Sequence, residues 1–218
     1  MQHIPPAILA IGRNYGDHAA EMGGVTDPHP MLFMKNPASV ARSGDVIRLP
    51  SICREHGPQV DYEGELCVEI GRDCRDVSEA DALRFVRGYR VANDVSARWW
   101  QKEGSGGQFC RGKSFDTFCP VTELVPAELV GDAQALKIET RLNGVTMQSS
   151  STALMVFSIQ FLISELSRGM TLLAGTYILT GTPSGVGAAR KPPVFLKDGD
   201  EVEVEIERVG ILRNTVRE

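Results

Sequence analysis

Four carboxylates at alternate positions are the part of this sequence most able to do chemistry. Asp61, Glu63, Glu65 and Glu69 share the period of two of a β-strand, which predicts that they lie on one face. Two carboxylates about 4 Å apart repel by roughly 4 kcal/mol at an effective dielectric constant near 20. A partly buried cluster therefore needs a cation, a proton or distance, and a hard divalent metal ion would satisfy it.

A second acidic segment shows the alternative interpretation of such a pattern. Residues 201–207 alternate Glu with Val and Ile after the turn-forming residues 198–200, which predicts the solvated face of an antiparallel strand. The earlier segment differs because Gly64 separates two of its glutamates. A glycine inside a strand often marks the close approach of a ligand or of another backbone. The segment alone leaves metal binding and a solvated face both open.

Asp94 is a candidate third ligand for a metal ion. It follows the apolar residues 91–92 and Asn93, where a predicted strand ends in polar sequence. Together with Glu63 and Glu65 it would provide three oxygen ligands, leaving water and substrate to complete an octahedron. That donor set suits Mg²⁺ or Mn²⁺ better than zinc.

His18 and Glu21 form a second candidate group in a short helical turn that glycines terminate. Asn14 or Asp17 would cap this turn, and a spacing of three places the two side chains on the same face. Such a pair is commonly a surface ion pair. The functional alternative is a dyad in which the carboxylate orients the imidazole as a general base for water.

Two glycine-containing segments also match or resemble binding loops. Residues 107–114 satisfy the pattern Gly-x-x-x-x-Gly-Lys-Ser of a phosphate-binding loop, but such a loop must follow a buried strand and begin a helix. The flanking sequence has loop or strand character, so we expect no nucleotide site there. Lys113 remains a candidate cation close to an anionic group. Residues 180–186 follow a predicted strand and either present hydroxyl and N–H groups to a carboxylate or form an ordinary turn.

Length and composition favour a small-molecule enzyme or binding protein. The chain has 218 residues with 42% hydrophobic content, which predicts one domain over residues 1–218. A net charge of −5 without a basic stripe argues against nucleic acid as a partner. No signal peptide or membrane-spanning segment is predicted. Five cysteines without Cys-x-x-Cys spacing indicate structural thiols and a reduced, cytoplasmic location.

The predicted elements are mostly short strands. Helical periodicity is limited to residues 78–85 and to a longer segment that Ser151 or Thr152 would cap and Gly169 would end. Strands are predicted at residues 46–49, 65–70, 89–93, 136–142, 177–179 and 202–208. The pattern predicts a β-rich mixed α/β fold.

Six motifs taken in order resemble the fumarylacetoacetate hydrolase superfamily from Ile11 to the carboxyl end. They are Gly12–Tyr15 with His18 and Glu21, Phe33–Lys35, Glu63–Glu65, Asn93–Arg98, Lys113–Asp116 and Thr180–Pro183. The resemblance implies the β roll or sandwich of that family's C-terminal domain, with a few short helices. It also implies a short, single-domain member that forms a homodimer.

The resemblance further implies roles for individual residues. The metal would be Mg²⁺, or Mn²⁺, with Ca²⁺ possible in crystals, and the partner a small oxo acid. The implied roles are metal ligation by Glu63, Glu65 and Asp94; a catalytic dyad of His18 and Glu21 on a mobile lid; a lysine near the substrate, Lys113; and substrate contacts by Arg13, Gln101 and Thr182. The pair Trp99-Trp100 departs from the polar residues more usual there, which leaves the shape of the substrate open.

Three functions agree with the sequence. The first is metal-dependent hydrolysis of a carbon–carbon bond in an acylpyruvate-type 2,4-dioxo acid, such as fumarylpyruvate or acetylpyruvate. The second uses the same site for decarboxylation of oxaloacetate-like acids or isomerisation of dienoates such as 2-hydroxyhepta-2,4-diene-1,7-dioate. The third is a binding module without enzymatic activity, in which the metal ion stabilises the fold.

Overall fold

The structure is a computed structural model that describes residues 4–24 and 28–218. The described helices are short, and most of the regular structure is strand, as predicted. The helices are α1 (Gly16–Glu21), α2 (Arg98–Gln101), α3 (Ala127–Val130) and α4 (Ile159–Ser167). The strands are β1 (Ile8–Gly12), β2 (Met31–Lys35), β3 (Val40–Arg42), β4 (Val46–Arg48), β5 (Val60–Asp61), β6 (Gly64–Ile70), β7 (Val86–Asn93), β8 (Ser96–Ala97), β9 (Cys119–Val121), β10 (Val125–Pro126), β11 (Lys137–Leu142), β12 (Val145–Ser151), β13 (Tyr177–Leu179), β14 (Glu201–Ile206) and β15 (Gly210–Arg217).

An eight-stranded, curled sheet forms the centre of the molecule. Its order is β2-β1-β13-β6-β7-β9-β3, with β10 paired to β7. Every residue of β6 is buried, which requires packed layers on both faces of the strand. The antiparallel register of β6 and β7 sets Gly64 opposite Asn93 and so brings the start of one strand beside the end of the other.

A five-stranded sheet and helix α4 cover one face of the central sheet. The order of this second sheet is β12-β11-β14-β15-β4. Its inward side chains pack with those of the central sheet and of α4 in one apolar cluster, which includes Leu66, Val68, Val91, Ile138, Leu162, Ile163, Val204 and Ile206. This layer fixes the position of β6 and β7, because their side chains form the shared core.

The acidic strand β14 is the solvated strand that its sequence predicts. It pairs antiparallel with both β11 and β15, and Val202, Val204 and Ile206 are buried while the glutamates face outward. The carboxylate of Glu203 forms ion pairs with Arg141 and Arg213. The alternation is therefore a packing pattern of the second sheet, and its charges are balanced on the surface.

Gly64 is required by the contact between the two sheets. A Cβ atom at this position would lie 2.2 Å from Thr140 Oγ1 and 2.9 Å from Val204 Cγ1. The sequence predicted close approach of a ligand or a backbone, and the neighbours are instead side chains of β11 and β14. The glycine thus allows the second sheet to pack against the strand that carries the acidic residues.

Both predicted helices are shorter in the structure. The segment that Ser151 or Thr152 was expected to cap forms the end of β12 and a 3-10 turn at Thr152–Leu154, and α4 begins only after Ser158, whose Oγ accepts from Phe161 N. Residues 155–157 are held extended because Met155 bridges to Tyr15 and the next two N–H groups donate to Asn14. The other predicted helix, residues 78–85, is a 3-10 turn at Ala82–Phe85.

The described residues contain no helix that is long and apolar enough to cross a membrane. All five cysteines are free, and four of them are buried. Burial raises the pKa of the Cys53 and Cys119 thiols to about 12, which disfavours the thiolate. These two cysteines are therefore unreactive parts of the core, as the sequence predicted for the cysteines in general.

Candidate active site

Three buried carboxylates converge at the meeting point of β6 and β7. Oxygen atoms of Glu63, Glu65 and Asp94 lie within 4.8 Å of one another. Glu63 precedes β6, Glu65 is its second residue, and Asp94 follows β7 directly. The Asp94 N–H donates to the Glu63 carbonyl at 2.8 Å, and the Glu63 N–H donates to Asn93 Oδ1 at 2.9 Å. The strand pairing thus brings together residues that lie about 30 positions apart in the sequence.

The four alternate carboxylates do not form one cluster, and this part of the prediction is wrong. The strand is interrupted after Asp61, whose Oδ2 accepts from both Arg98 Nη2 and Arg98 Nε, at 2.7 and 2.9 Å. Glu69, at the other end of β6, accepts from Arg90 Nη2 at 2.7 Å. Each outer carboxylate is therefore paired with an arginine and points away from the shared site, although Arg98 also pairs with Glu63.

Two buried lysines approach the acidic cluster. Lys113 Nζ lies 2.5 Å from Glu63 Oε2 and also contacts Asp94 Oδ2. Lys35 Nζ lies 2.5 Å from Asp94 Oδ1. The sequence predicted that Lys113 would lie near an anionic group, and the structure places it there. No role was predicted for Lys35, although its signal is visible: on β2 it shares the buried face with Phe33, while Leu32 and Met34 are exposed.

The charges in the cluster are compensated unequally. Burial alone would raise the pKa of Glu63, but Lys113 and Arg98 outweigh it and hold that pKa well below its usual range. Burial, with the nearby charges of Asp94 and Glu63, raises the pKa of Glu65 well above its usual range. The only hydrogen bond found for the Glu65 carboxylate within the described chain comes from Gly181 N–H, at 2.7 Å.

The donor set fits a hard divalent cation. Three carboxylates offer oxygen ligands from a buried position, and one of them, Glu65, is in an environment that disfavours its charged form. A divalent cation would reverse that preference, because its charge offsets the burial and the repulsion that together raise the Glu65 pKa. Oxygen donors favour Mg²⁺ or Mn²⁺.

The His18–Glu21 pair lies beside the acidic cluster. His18 Nδ1 is 2.8 Å from Glu21 Oε1, and His18 lines the same pocket as the three carboxylates. Glu21 Oε2 accepts from Gly185 N–H at 2.8 Å, which ties α1 to the loop at residues 180–186. The carboxylate therefore fixes the orientation of the imidazole.

The expected cap of α1 is wrong. Its N-cap residue is Tyr15, without a side-chain hydrogen bond, and neither Asn14 nor Asp17 caps the helix. Asn14 Nδ2 instead donates to the carbonyls of Thr180 at 2.8 Å and Phe157 at 3.1 Å, and Asn14 Oδ1 accepts from Phe157 N–H at 2.7 Å. Asn14 thus joins the start of α1 to two other parts of the chain.

The three residues expected to contact substrate all line the same pocket. They are Arg13, Gln101 and Thr182. Gln101 Oε1 accepts from Arg98 Nη1 at 3.0 Å, and Thr182 Oγ1 donates to the Gly64 carbonyl at 2.9 Å. Thr182 is therefore anchored to the strand that carries Glu65, and Gln101 to the arginine that pairs with Glu63.

The two glycine-containing loops have different outcomes. Residues 107–114 follow turns and begin no helix, so the phosphate-loop geometry is not present, in agreement with the expectation. In the loop at residues 180–186, the N–H groups of Gly181 and Gly185 donate to the protein's own carboxylates Glu65 and Glu21. This loop therefore connects the acidic cluster with the dyad.

Fold and site together define a class of protein with a buried acidic site where two strands of a strand-rich core meet. The model of the family described as "Fumarylacetoacetate (FAA) hydrolase C-terminal" matches residues 7–217. The chain belongs to this family. Three similar proteins illustrate its range.

Oxaloacetate tautomerase YisK of Bacillus subtilis is 46% identical over 212 residues, which cover 96% of this chain and 69% of YisK. Fumarylacetoacetate hydrolase of Exiguobacterium antarcticum is 44% identical with a TM-score of 0.89, covering 99% of this chain and 76% of that one. The 2-hydroxyhepta-2,4-diene-1,7-dioate isomerase of Mycobacterium marinum is 37% identical with a TM-score of 0.83, covering 98% and 75%.

The comparisons confirm the family resemblance and the β-rich fold predicted from six motifs. The named relatives are enzymes, and the chain is accordingly an enzyme of this family rather than a metal-stabilised binding module. Their activities differ, so the family alone does not define the reaction.

Proposed function

We propose that this enzyme moves a proton within a small 2-oxo acid, with keto–enol tautomerisation of oxaloacetate as the leading reaction. The observation that carries the proposal is the pocket shared by the acidic cluster and the His18–Glu21 dyad. Support from similarity comes from a tautomerase at 46% identity and a dienoate isomerase at 37%. Both of those reactions rearrange a substrate without consuming water.

Tautomerisation requires one group that accepts and returns a proton. The enol carries its proton on the oxygen at C2, and the keto form carries it on C3. His18 would take the proton from one position through Nε2 and return it to the other, because Glu21 occupies Nδ1 and holds the ring in place. No carbon–carbon bond breaks, and the enzyme ends in its starting protonation state.

Negative charge develops on the C2 oxygen when the proton leaves. Lys113 is placed to offset this charge, since its ammonium group is buried among Glu63 and Asp94 and these carboxylates raise its pKa against the effect of burial. A divalent cation held by Glu63, Glu65 and Asp94 would supply Lewis-acid stabilisation of the same charge.

Hydrolysis of an acylpyruvate-type 2,4-dioxo acid, the first of the sequence-based expectations, is the second candidate. The hydrolase of Exiguobacterium antarcticum, at 44% identity, favours it. In this reaction the His18–Glu21 dyad would take a proton from water instead of from the substrate. The two proposals use the same residues and differ in the atom that gives up the proton.

The test is a substrate panel assayed with Mg²⁺. Loss of enol absorbance from oxaloacetate reports tautomerisation, and pyruvate release from acetylpyruvate or fumarylpyruvate reports hydrolysis. We expect accelerated enol loss without stoichiometric pyruvate, and we expect EDTA to abolish it. Faster turnover of an acylpyruvate than of oxaloacetate would select hydrolysis, and full activity in EDTA would contradict both proposals.

A further inference from the structure

The pocket contains a cation that the acidic cluster does not use. Arg98 forms ion pairs with Asp61 and Glu63, and Lys113 forms ion pairs with Glu63 and Asp94. Lys102 lines the same pocket, yet its Nζ makes no ion pair or hydrogen bond within residues 4–24 and 28–218. The ammonium group therefore remains available to an anionic ligand.

Lys102 lies at the outer end of a short path from the acidic cluster. Arg98 at the start of α2 contacts Glu63, and its guanidinium donates to Gln101, which is also buried. Lys102 follows directly and is exposed. Within five residues the chain thus runs from the inner cluster to the mouth of the pocket.

The backbone at Lys102 is held firmly although its side chain is exposed. Its N–H donates to the Trp99 carbonyl at 3.1 Å, and its carbonyl accepts from Gly107 N–H at 2.7 Å. Gly112 packs against the preceding residue so closely that a Cβ atom would lie 2.4 Å from Gln101 N. The fold therefore sets the position of the backbone from which the Lys102 side chain extends at the pocket mouth.

We propose that Lys102 selects substrates with a second carboxylate, so that the enzyme acts on dicarboxylic 2-oxo acids. The proposal rests on the function proposed above: the 2-oxo acid end lies at the acidic cluster, and the distal carboxylate meets Lys102. The opposing possibility is a substrate with an apolar tail, because Met22, Phe33 and Phe109 also line the pocket. The two possibilities predict opposite responses when the charge is removed.

Turnover of oxaloacetate and of its 4-methyl ester distinguishes them. Lys102→Met is expected to raise KM for oxaloacetate about fivefold, the size of one partly solvated ion pair, and to leave KM for the ester and kcat for both unchanged. Lys102→Arg should retain the preference for the diacid. Glu103→Gln is the matched control, because it changes the charge of the neighbouring exposed residue, which does not line the pocket.

A binding measurement separates this inference from the proposed reaction. Malate and 2-hydroxybutanoate share the 2-oxygen and adjacent carboxylate and differ in the distal carboxylate. Calorimetry with Mg²⁺ present should show tighter binding of malate to the unmodified enzyme and about fivefold loss of that preference in Lys102→Met. If this holds while oxaloacetate is not tautomerised, the reaction is wrong and the role of Lys102 stands. An unchanged preference for malate in Lys102→Met, or no preference in the unmodified enzyme, overturns the inference.

Discussion

Glu65 is the carboxylate whose environment most clearly favours a bound cation. It is buried beside two other carboxylates, and no ion pair to it is found in the described chain. Glu69, four positions along the same strand, is equally buried but is paired with Arg90. The two carboxylates therefore differ in their charge balance and not in their exposure.

We predict that Glu65→Gln stabilises the metal-free protein and removes its response to Mg²⁺. At neutral pH, folding in EDTA must either bury the Glu65 charge or protonate the carboxyl, and a neutral Gln avoids both costs, which should raise the free energy of unfolding by about 1–3 kcal/mol. Urea denaturation with EDTA and with MgCl₂ measures both effects. The matched control is Glu69→Gln, which removes the ion pairs with Arg87 and Arg90 and should destabilise by about 3–5 kcal/mol. Destabilisation by both substitutions in EDTA would contradict this interpretation of Glu65.

The pH dependence of stability in EDTA gives a second prediction. Because the folded-state pKa of Glu65 is raised above 4.5, the folded protein binds this proton more tightly than the unfolded chain does. The free energy of unfolding should therefore fall as the pH rises from 4.5 toward the raised pKa, and Glu65→Gln should lack this contribution. Glu63 acts in the opposite direction: its pKa is lowered, so its contribution is present above 4.5 and is lost as the pH falls. Denaturant titrations of the unmodified protein and of Glu65→Gln, at pH values from 4.5 upward, isolate the Glu65 contribution as the difference between the two unfolding free energies.

His18 is predicted to serve proton transfer and not metal binding. His18→Ala should lower kcat by about 10²–10⁴, the usual contribution of a positioned general base. The Mg²⁺ affinity measured by calorimetry should remain within error of the unmodified enzyme. An equal loss of metal affinity would show that His18 acts on the acidic cluster, not on the substrate.

At the scale of elements, α1 and the loop at residues 180–186 form a connected unit over the pocket. Asn14 bonds to Thr180, Glu21 bonds to Gly185, and Gly181 bonds to Glu65. These contacts explain how a helix of only six residues holds the His18–Glu21 pair in place. The isolated helix would be far too short to be stable, so tertiary contacts must fix it.

The contact between the two sheets at Gly64 gives a prediction at this scale. Gly64→Ala should destabilise by about 1–3 kcal/mol, because the new methyl group overlaps Thr140 and Val204. The Thr140 hydroxyl has no hydrogen-bond partner within the described residues, so Thr140→Ala should cost little and should partly restore Gly64→Ala. Chemical denaturation of the two single variants and the double variant measures this coupling. Additive losses would show that the overlap lies elsewhere.

At the scale of the whole molecule, the family resemblance implies a homodimer, which stays a prediction. Sedimentation equilibrium should give twice the 23.8 kDa mass of one chain at micromolar concentration. A monomer at that concentration would show that the expectation from the resemblance is wrong.

Mg²⁺ should raise the midpoint of thermal unfolding of the monomer or the dimer, because it binds only the folded site.

The sequence by itself determined the kinds of chemistry and the local patterns. The carboxylates at positions 63, 65 and 94, the His18–Glu21 spacing and the alternation in β14 could all be recognised from residue types and periodicity. The structure brings the predicted site residues into one pocket, with Glu21 behind His18. Short-range patterns are visible because strand and helix periods are properties of the backbone itself.

Only the tertiary structure decided which charges are compensated and where the helices begin. Asp61 and Glu69 look like Glu63 and Glu65 in the sequence, but arginines 37 and 21 positions away neutralise them. The helical pattern after Ser151 is interrupted because Asn14, 143 positions away, binds Phe157. Such pairings depend on strand order and packing, and no local pattern encodes them.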